Sequence, residues 1–424
     1  MDLFRWKKTN STVADAERGR DWDYGLVADR APRLPFGIGL LSLAHLLSDV
    51  HQGMLPVILL YQHEVLGLSL SQVGVVAGLY NLVISLAQPL FGYLVDRWGE
   101  RRVALAGAVW VALMGGALGF APSVGMLALL AGLSALGPAA FHPSGAAGVG
   151  RLATSRPGLS MSVFFVGGTL GHALGPLVAA SVFDGIGLHG TAWIALGVVI
   201  VATGVLMKVP FAPPSARTTL RPAWQGRLPW QALVRRTLWS SIAALLVVIG
   251  VRTCLQLSLA TYVPQHLVSA GFVPSRASHW LSLMQAAVAV GVLIGGPLID
   301  RIGSRALTTG VLVALAPIII YFAQSTTGAA GPVLGLAGLL IGIPLSMTFV
   351  VGQSFLPEDR GLASGLVFAT SSIAGAAGVA LTGLVADHWG LTVALTVLGL
   401  LPLITALAGI ALPRQDESHP LVAG

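Results

Sequence analysis

With 424 residues, 55% of them hydrophobic and only 10% charged, the chain cannot be a soluble globular domain, which would carry about a quarter charged residues. A formal net charge of +7 would point a soluble protein toward nucleic acid, but here the basic residues fall in short clusters between apolar runs, which removes that reading. The single cysteine, Cys254, lies inside an apolar run and leaves neither a disulfide framework nor a thiolate metal site.

Residues 1–34 are polar and mixed in charge, without the apolar core of a signal peptide, and read as a cytoplasmic tail. Apolar runs long enough to cross a bilayer as helices then appear at 35–61, 71–95, 103–120, 123–143, 158–183, 189–209, 238–266, 277–299, 306–323, 329–353, 361–386 and 389–412. Helices are the expected form, because backbone groups in hydrocarbon must be satisfied within their own segment. The longest connection, 210–237, is rich in proline and arginine and reads as a cytoplasmic linker between a six-helix half at 35–209 and another at 238–412, with a second tail at 413–424. If the twelve spans are right, 22 of the 24 Lys and Arg residues lie on one side, which predicts that both termini are cytoplasmic.

The halves repeat one another. Gly92-Tyr-Leu-Val-Asp96-Arg97-Trp-Gly99-Glu-Arg101 matches Gly296-Pro-Leu-Ile-Asp300-Arg301-Ile-Gly303-Ser-Arg305 at an offset of 204. Gly158, Gly175, Asp184 and Gly187 recur as Gly361, Gly378, Asp387 and Gly390 at an offset of 203. Parallel repeats of this kind are a transporter plan, with the binding site between the repeats near mid-membrane. Asp96 and Asp300 then sit at a cytoplasmic edge, where each can accept from a helix N-terminus and pair with arginine, forming a gate with Gly92, Arg97, Gly99, Arg101, Gly296, Arg301, Gly303 and Arg305. The plainer reading makes these residues charged turns; the duplication favours the gate.

Asp49 is an ionisable residue where a span should have none, which makes it a candidate functional residue by default. His45 is one helical turn before it and Gln52 one turn after, so the three share a face. The repeat offset carries Asp49 onto Arg252, a permanent cation inside the seventh span, so the two can meet across a central cavity, directly or through substrate. A static ion pair is the competing reading. His45 is either part of a proton path or a structural hydrogen-bonding group, while His51, about 200° around the helix from Asp49, is expected to miss the cavity. His142 and His172, with Gln88, Gln256 and Gln285, are further cavity candidates. Gly167, Gly171 and Gly175, spaced four apart, let helices approach closely, and Pro176 adds a kink or flexible point.

The chain resembles the major facilitator superfamily through its twelve spans, its six-plus-six repeat and both loop motifs. Within it, His45-Leu-Leu-Ser-Asp49, Gly67-Leu-Ser-Leu-Ser-Gln72-Val-Gly74, Gln88-Pro-Leu-Phe-Gly92, Phe141-His142-Pro143, Phe165-Val-Gly-Gly168 through Gly175-Pro176, and Arg252 with Thr261-Tyr-Val-Pro264 are similar to the fosmidomycin-resistance group of efflux proteins. The resemblance implies an all-α membrane protein of twelve transmembrane helices in two pseudo-symmetric halves, in the cytoplasmic (inner) membrane, exporting by alternating access against inward proton flow. There are two departures: Ser144 stands where related proteins often carry an acid after Phe-His-Pro, and Ala179 and Ala180 replace a glycine pair of the fifth-span antiporter motif.

The leading expectation is a proton-coupled antiporter for a small anionic or amphiphilic compound, with Asp49 and His45 in proton coupling and Arg252 as anion contact. A second keeps the fold and reverses the direction, as a symporter for uptake. An intramembrane enzyme built on His142 with Ser144, or on His45 with Asp49, lacks a third orienting group and gives the repeat no role; a non-transporting receptor is the remaining class. Neither a cofactor nor a metal is expected. The partners expected are substrate, protons and the lipid bilayer, with no nucleic acid, and function as a monomer.

Overall fold

The computed structural model describes residues 35–153, 157–211, 236–325, 328–355 and 360–409. The expected tails and nearly all of the expected linker lie outside these residues, as do the side chains of Gly296 and Asp300. The described chain is all-helical: α1 (Phe36–Leu66), α2 (Leu70–Trp98), α3 (Glu100–Ala117), α4 (Val124–Leu152), α5 (Pro157–Ile186), α6 (Thr191–Lys208), α7 (Arg236–Ser269), α8 (Pro274–Ile302), α9 (Ser304–Gln324), α10 (Ala330–Phe355) and α11 (Arg360–Gly409). Among the described residues, ten helices are long and apolar enough to cross a membrane, and Ala330–Leu345 is a shorter apolar helix. The sequence separates two spans at 386–389, and the stretch labelled α11 breaks beside that point, at the non-helical Gly390 (φ 83°, ψ 160°). Large apolar side chains such as Leu86, Ile200 and Leu407 stay exposed on the outer faces, as suits hydrocarbon contact.

Local chemistry sets the turns. Gly67 ends α1 in the left-handed conformation, and Ser69 then starts α2 with a capping box: its Oγ accepts from Gln72 N at 3.1 Å and its N donates to Gln72 Oε1 at 2.9 Å. That geometry accounts for the Gly67-to-Gln72 motif. Among the described residues, six glycines have positive φ, and they fall into three pairs at the repeat offsets: Gly67 with Gly271, Gly99 with Gly303, and Gly187 with Gly390. Gly99 (φ 93°, ψ 150°) and Gly303 (φ 85°, ψ 149°) adopt one shared conformation that is essentially closed to other residues. The repeat therefore exists in backbone geometry as well as in letters.

The packing follows the same symmetry. α1 lies along α5 as α7 lies along α11; α2 packs on α4 as α8 packs on α10; and α2 meets α11 as α8 meets α5. Among the described residues, the hydrogen bonds that cross from the first six helices to the rest gather on one stretch of α2. Asp387 accepts from Leu70 N (2.7 Å) and Ser71 N (3.0 Å), capping the exposed N–H groups that open α2. The buried Tyr262 hydroxyl shares its hydrogen between the Leu70 and Val379 carbonyls, each at 2.9 Å, and Ser85 bonds Ser372 midway along α2. Gly74 and Gly78 bring α2 against α11 so closely that a Cβ at Gly78 would lie 2.9 Å from the Ala376 carbonyl oxygen. This end of the molecule is latched.

Asp387→Ala removes both acceptors from the start of α2. A lost cap is worth about 0.5–2 kcal/mol, so opening at this end should rise about two- to thirtyfold. Labelling of a cysteine at Ser71 by an impermeant thiol reagent, in a Cys254→Ala background, measures it; an unchanged rate would mean that the cap does not hold the latch.

Candidate functional site

The α1–α5 seam creates the site. Gly167, Gly171 and Gly175 on α5 present no side chain to α1, and a Cβ at Gly171 would lie 2.5 Å from the Leu46 carbonyl oxygen and 2.9 Å from Asp49 Cβ. α1 answers with Gly53, whose absent Cβ makes room for the backbone of His172. Gly168 leaves the remaining space: a methyl there would sit 2.6 Å from His45 Nε2 and 2.8 Å from Asp49 Oδ2. Sequence reading sees Gly168 only as part of a small-residue motif.

Asp49, 3% exposed, is the hub. Its Oδ2 lies 3.2 Å from His45 Nε2 and 3.6 Å from His172 Nε2; its Oδ1 lies 3.1 Å from His142 Nε2 and accepts from Gln52 Nε2 at 2.7 Å. Three histidines from α1, α4 and α5 thus converge on one carboxylate. His45 Nδ1 is 2.8 Å from the Phe164 carbonyl, which can only accept, so this nitrogen carries a hydrogen. His45 Nε2 and Asp49 Oδ2 must then hold a proton between them, because a bare nitrogen and a carboxylate are both acceptors. His142 Nδ1 faces Gln88 Nε2 at 3.3 Å, so Gln88 donates and the Nε2–H of His142 points at Asp49. Phe164 stacks on His45 with ring centroids 4.1 Å apart and closes the apolar side.

A cavity of about 270 Å³ adjoins the cluster, lined by residues from both sets of helices. Gln52, Gly53, Tyr80, Asn81, Thr169 and His172 come from one wall, and Thr253, Gln256, Thr261, Gln285 and Ser372 from the other. Buried Arg252 donates through Nη1 to Gln256 Oε1 (2.7 Å) and through Nη2 to Thr253 Oγ1 (3.0 Å), both on lining residues, while its Nε has no hydrogen-bond partner among the described residues. The direct Asp49–Arg252 contact allowed by the repeat is not formed: the histidines and Gln52 take the carboxylate, and Arg252 makes no ion pair among the described residues. Neither residue lines the cavity itself; each is bonded to residues that do, Asp49 to Gln52 on one wall and Arg252 to Gln256 and Thr253 on the other. Gln88 reaches His142 instead of lining the cavity. His51 is buried with its ring toward Gly115 on α3, away from the cluster.

At the arginine-rich end, Asp96 is exposed at the end of α2, Arg97 Nη1 donates to the Tyr93 hydroxyl at 3.4 Å, and Arg101 Nη2 donates to the Val209 carbonyl at 2.9 Å, with its guanidinium 5.8 Å from the Phe211 ring centre. Arg301 is exposed and Arg305 partly buried. A pair that sequence reading passed over is Glu100–Arg151 at 2.6 Å, with Glu100 buried inside the repeated loop motif. The corresponding positions, Ser304 and Phe355, carry no charge, so the repeat could not flag it.

An all-helical multi-pass chain, with an ionisable cluster opening on a cavity between two repeated sets of helices, defines a membrane transporter rather than an enzyme. The family model described as Major Facilitator Superfamily matches residues 41–357, and the chain belongs to that family. It is 30% identical over 397 residues to the fosmidomycin resistance protein of Escherichia coli (strain K12), covering 91% of this chain and 95% of that one. It is 27% identical over 382 residues to an uncharacterized MFS-type transporter, YfnC, of Bacillus subtilis (strain 168), covering 89% and 93%. Among solved structures, the inward-facing, occupied form of a bacterial homolog of the human lysosomal transporter Spinster superposes with a TM-score of 0.75 at 15% identity, over 90% of this chain and 97% of that one, a likeness of fold.

Proposed function

We propose that the chain is a proton-coupled antiporter of the inner membrane that exports a small anionic or amphiphilic compound by alternating access. The observation that carries this reading is the Asp49 cluster: a buried carboxylate joined to three imidazoles, next to a cavity whose far wall holds Arg252 through Gln256 and Thr253. A carboxylate–imidazole cluster can take up and release protons within a hydrogen-bonded group without leaving a charge stranded in hydrocarbon. In this reading α11 is two spans divided at Gly390, which makes twelve in two halves of six, working as a monomer with both termini in the cytoplasm. The Asp387 latch then closes the outer face, and the Asp96 and Asp300 loops are the inner gate that closes when it opens. The relative named for fosmidomycin resistance supports export and makes fosmidomycin the first compound to try.

The test is flux in vesicles of known orientation. An imposed pH gradient should drive accumulation in the direction opposite to the proton flow, and accumulation in the same direction would replace antiport with symport. Arg252→Gln should weaken transport of anions and spare neutral compounds, since a charged hydrogen bond is worth about 1.5–3 kcal/mol, roughly tenfold to a hundredfold in affinity. Equal loss for both would assign Arg252 to structure alone.

A further inference from the structure

The three histidines that meet at Asp49 have the arrangement of a metal site. We propose that His45, Asp49, His142 and His172 bind a single divalent transition-metal ion of the cobalt-to-zinc series, reached from the cavity. His45, Asp49 and His142 offer ligand atoms that all lie within 4.8 Å of one another. The separations from the carboxylate oxygens to the three Nε2 atoms are 3.1, 3.2 and 3.6 Å. Tetrahedral zinc with bonds of 2.0–2.1 Å sets its ligand atoms about 3.3–3.4 Å apart; the nitrogens are here divided between the two carboxylate oxygens, so an entering ion draws the rings inward onto one centre, His172 moving furthest. It would take the place of the protons that these groups share.

The outer contacts suit the same role. A ligating imidazole usually donates its other N–H to a carbonyl or carboxylate, which orients the ring and frees the ligating nitrogen. His45 Nδ1 does this to the Phe164 carbonyl, turning Nε2 inward. His142 Nδ1 meets the Gln88 amide, which by turning over can offer its oxygen instead. Three imidazoles and one carboxylate favour cobalt, nickel, copper and zinc and disfavour magnesium and calcium, which call for shells of oxygen. The entry path is the cavity: the His45 and Asp49 side chains are each 5% exposed, whereas His142 is 25% and His172 38% exposed. Sequence spacing could not unite these ligands, because they come from three helices and no repeat counterpart marks them.

Metal binding goes beyond the transport reading and depends on neither its direction nor its coupling. The probe is Co²⁺ titrated into the chelator-stripped full-length protein in detergent, free of any histidine tag, with visible absorption reporting coordination and Zn²⁺ as competitor. The expected result is one Co²⁺ per chain with the intense bands of four- or five-coordinate cobalt, displaced by one equivalent of Zn²⁺. His142→Gln and His172→Gln, at the more exposed ligands, should each weaken binding by tenfold or more, roughly the loss that even outer-shell changes cause. His279→Gln, at an exposed histidine of α8, should not alter it. Absence of the bands, or bands unchanged in both cluster variants while melting curves match wild type, overturns the proposal. Gradient-driven flux in a protein without a cobalt spectrum overturns the metal site and keeps the proton reading; a cobalt spectrum without such flux does the reverse.

Discussion

Asp49→Asn is expected to reduce pH-gradient-driven flux to the level seen without a gradient, while substrate exchange between equal concentrations continues. Asparagine keeps the shape of the side chain and can still accept from Gln52 and His142, both of which donate to Oδ1 in the wild type. What it loses is the proton held between Asp49 Oδ2 and His45 Nε2. With His45 Nδ1 committed to the Phe164 carbonyl, the amide leaves His45 no carboxylate with which to trade a proton, and the proposed cycle lacks its exchange step. A purely structural cluster predicts the opposite pattern. Removing the charge from a buried pair typically destabilises by about 3–5 kcal/mol, because the partner is left uncompensated, yet a carrier that still folds would keep its driven flux. Flux in proteoliposomes and thermal melting in detergent therefore separate the roles: lost flux with a retained melting temperature supports coupling at Asp49, and retained flux with a lowered melting temperature removes it.

The fold was legible because two strong constraints act on the sequence. Hydrocarbon demands long apolar helices, and the repeat writes its turns twice, so that Gly99 and Gly303 announce one conformation from positions 204 residues apart. Membrane spans were easier to find than their ends: the 35–61 run extends to Leu66, and the boundary placed between 386 and 389 falls at Gly390, because helix ends depend on caps and packing more than on hydropathy. The site was legible only in part. A charge in a span marks Asp49 and Arg252 without any structure, and helical spacing brings His45 and Gln52 to the same face. His142 and His172 are a different matter. Each is a lone histidine in its own helix, and only the lateral packing of α4 and α5 against α1 decides that their rings meet one carboxylate.

Symmetry fixes position and leaves contact open. The offset that pairs Asp49 with Arg252 relates them by position, and the described residues show no ion pair between them: Asp49 is bonded to Gln52 and Arg252 to Gln256 and Thr253, all three of which line the cavity. The chemistry of Asp49 is local to the first repeat: at the offset of 203 that carries Asp49 onto Arg252, the positions equivalent to His45, His142 and His172 are Val248, Leu345 and Gly375. A duplicated scaffold thus carries an unduplicated site, with the acid and imidazoles on one side and the cation on the other.

Gly171→Val is expected to dismantle the site from a distance of one helix, with a large loss of stability. α1 and α5 form the most extensive helix pair among the described residues, and their backbones meet through Gly167, Gly171 and Gly175. At Gly171 the nearest neighbours of an added Cβ are the Leu46 carbonyl oxygen and the Cβ and carbonyl carbon of Asp49, so most of what it meets is backbone that cannot rotate away. Each overpacked position typically loses about 1–3 kcal/mol, and valine adds two further methyl groups that push α5 outward. Because His172 follows directly and Gly168 sits one turn before, the same displacement pulls His172 from Asp49 and opens the His45 side of the cluster. A graded series makes the argument specific: melting temperature should fall from wild type to Gly171→Ala to Gly171→Val, with driven flux falling in step. Gly197→Ala and Gly204→Ala on α6, where an added Cβ meets nothing within 4 Å, should leave both unchanged. If Gly171→Val melts like wild type, the seam is not the element that sets the site, and the convergence of the three histidines needs another cause.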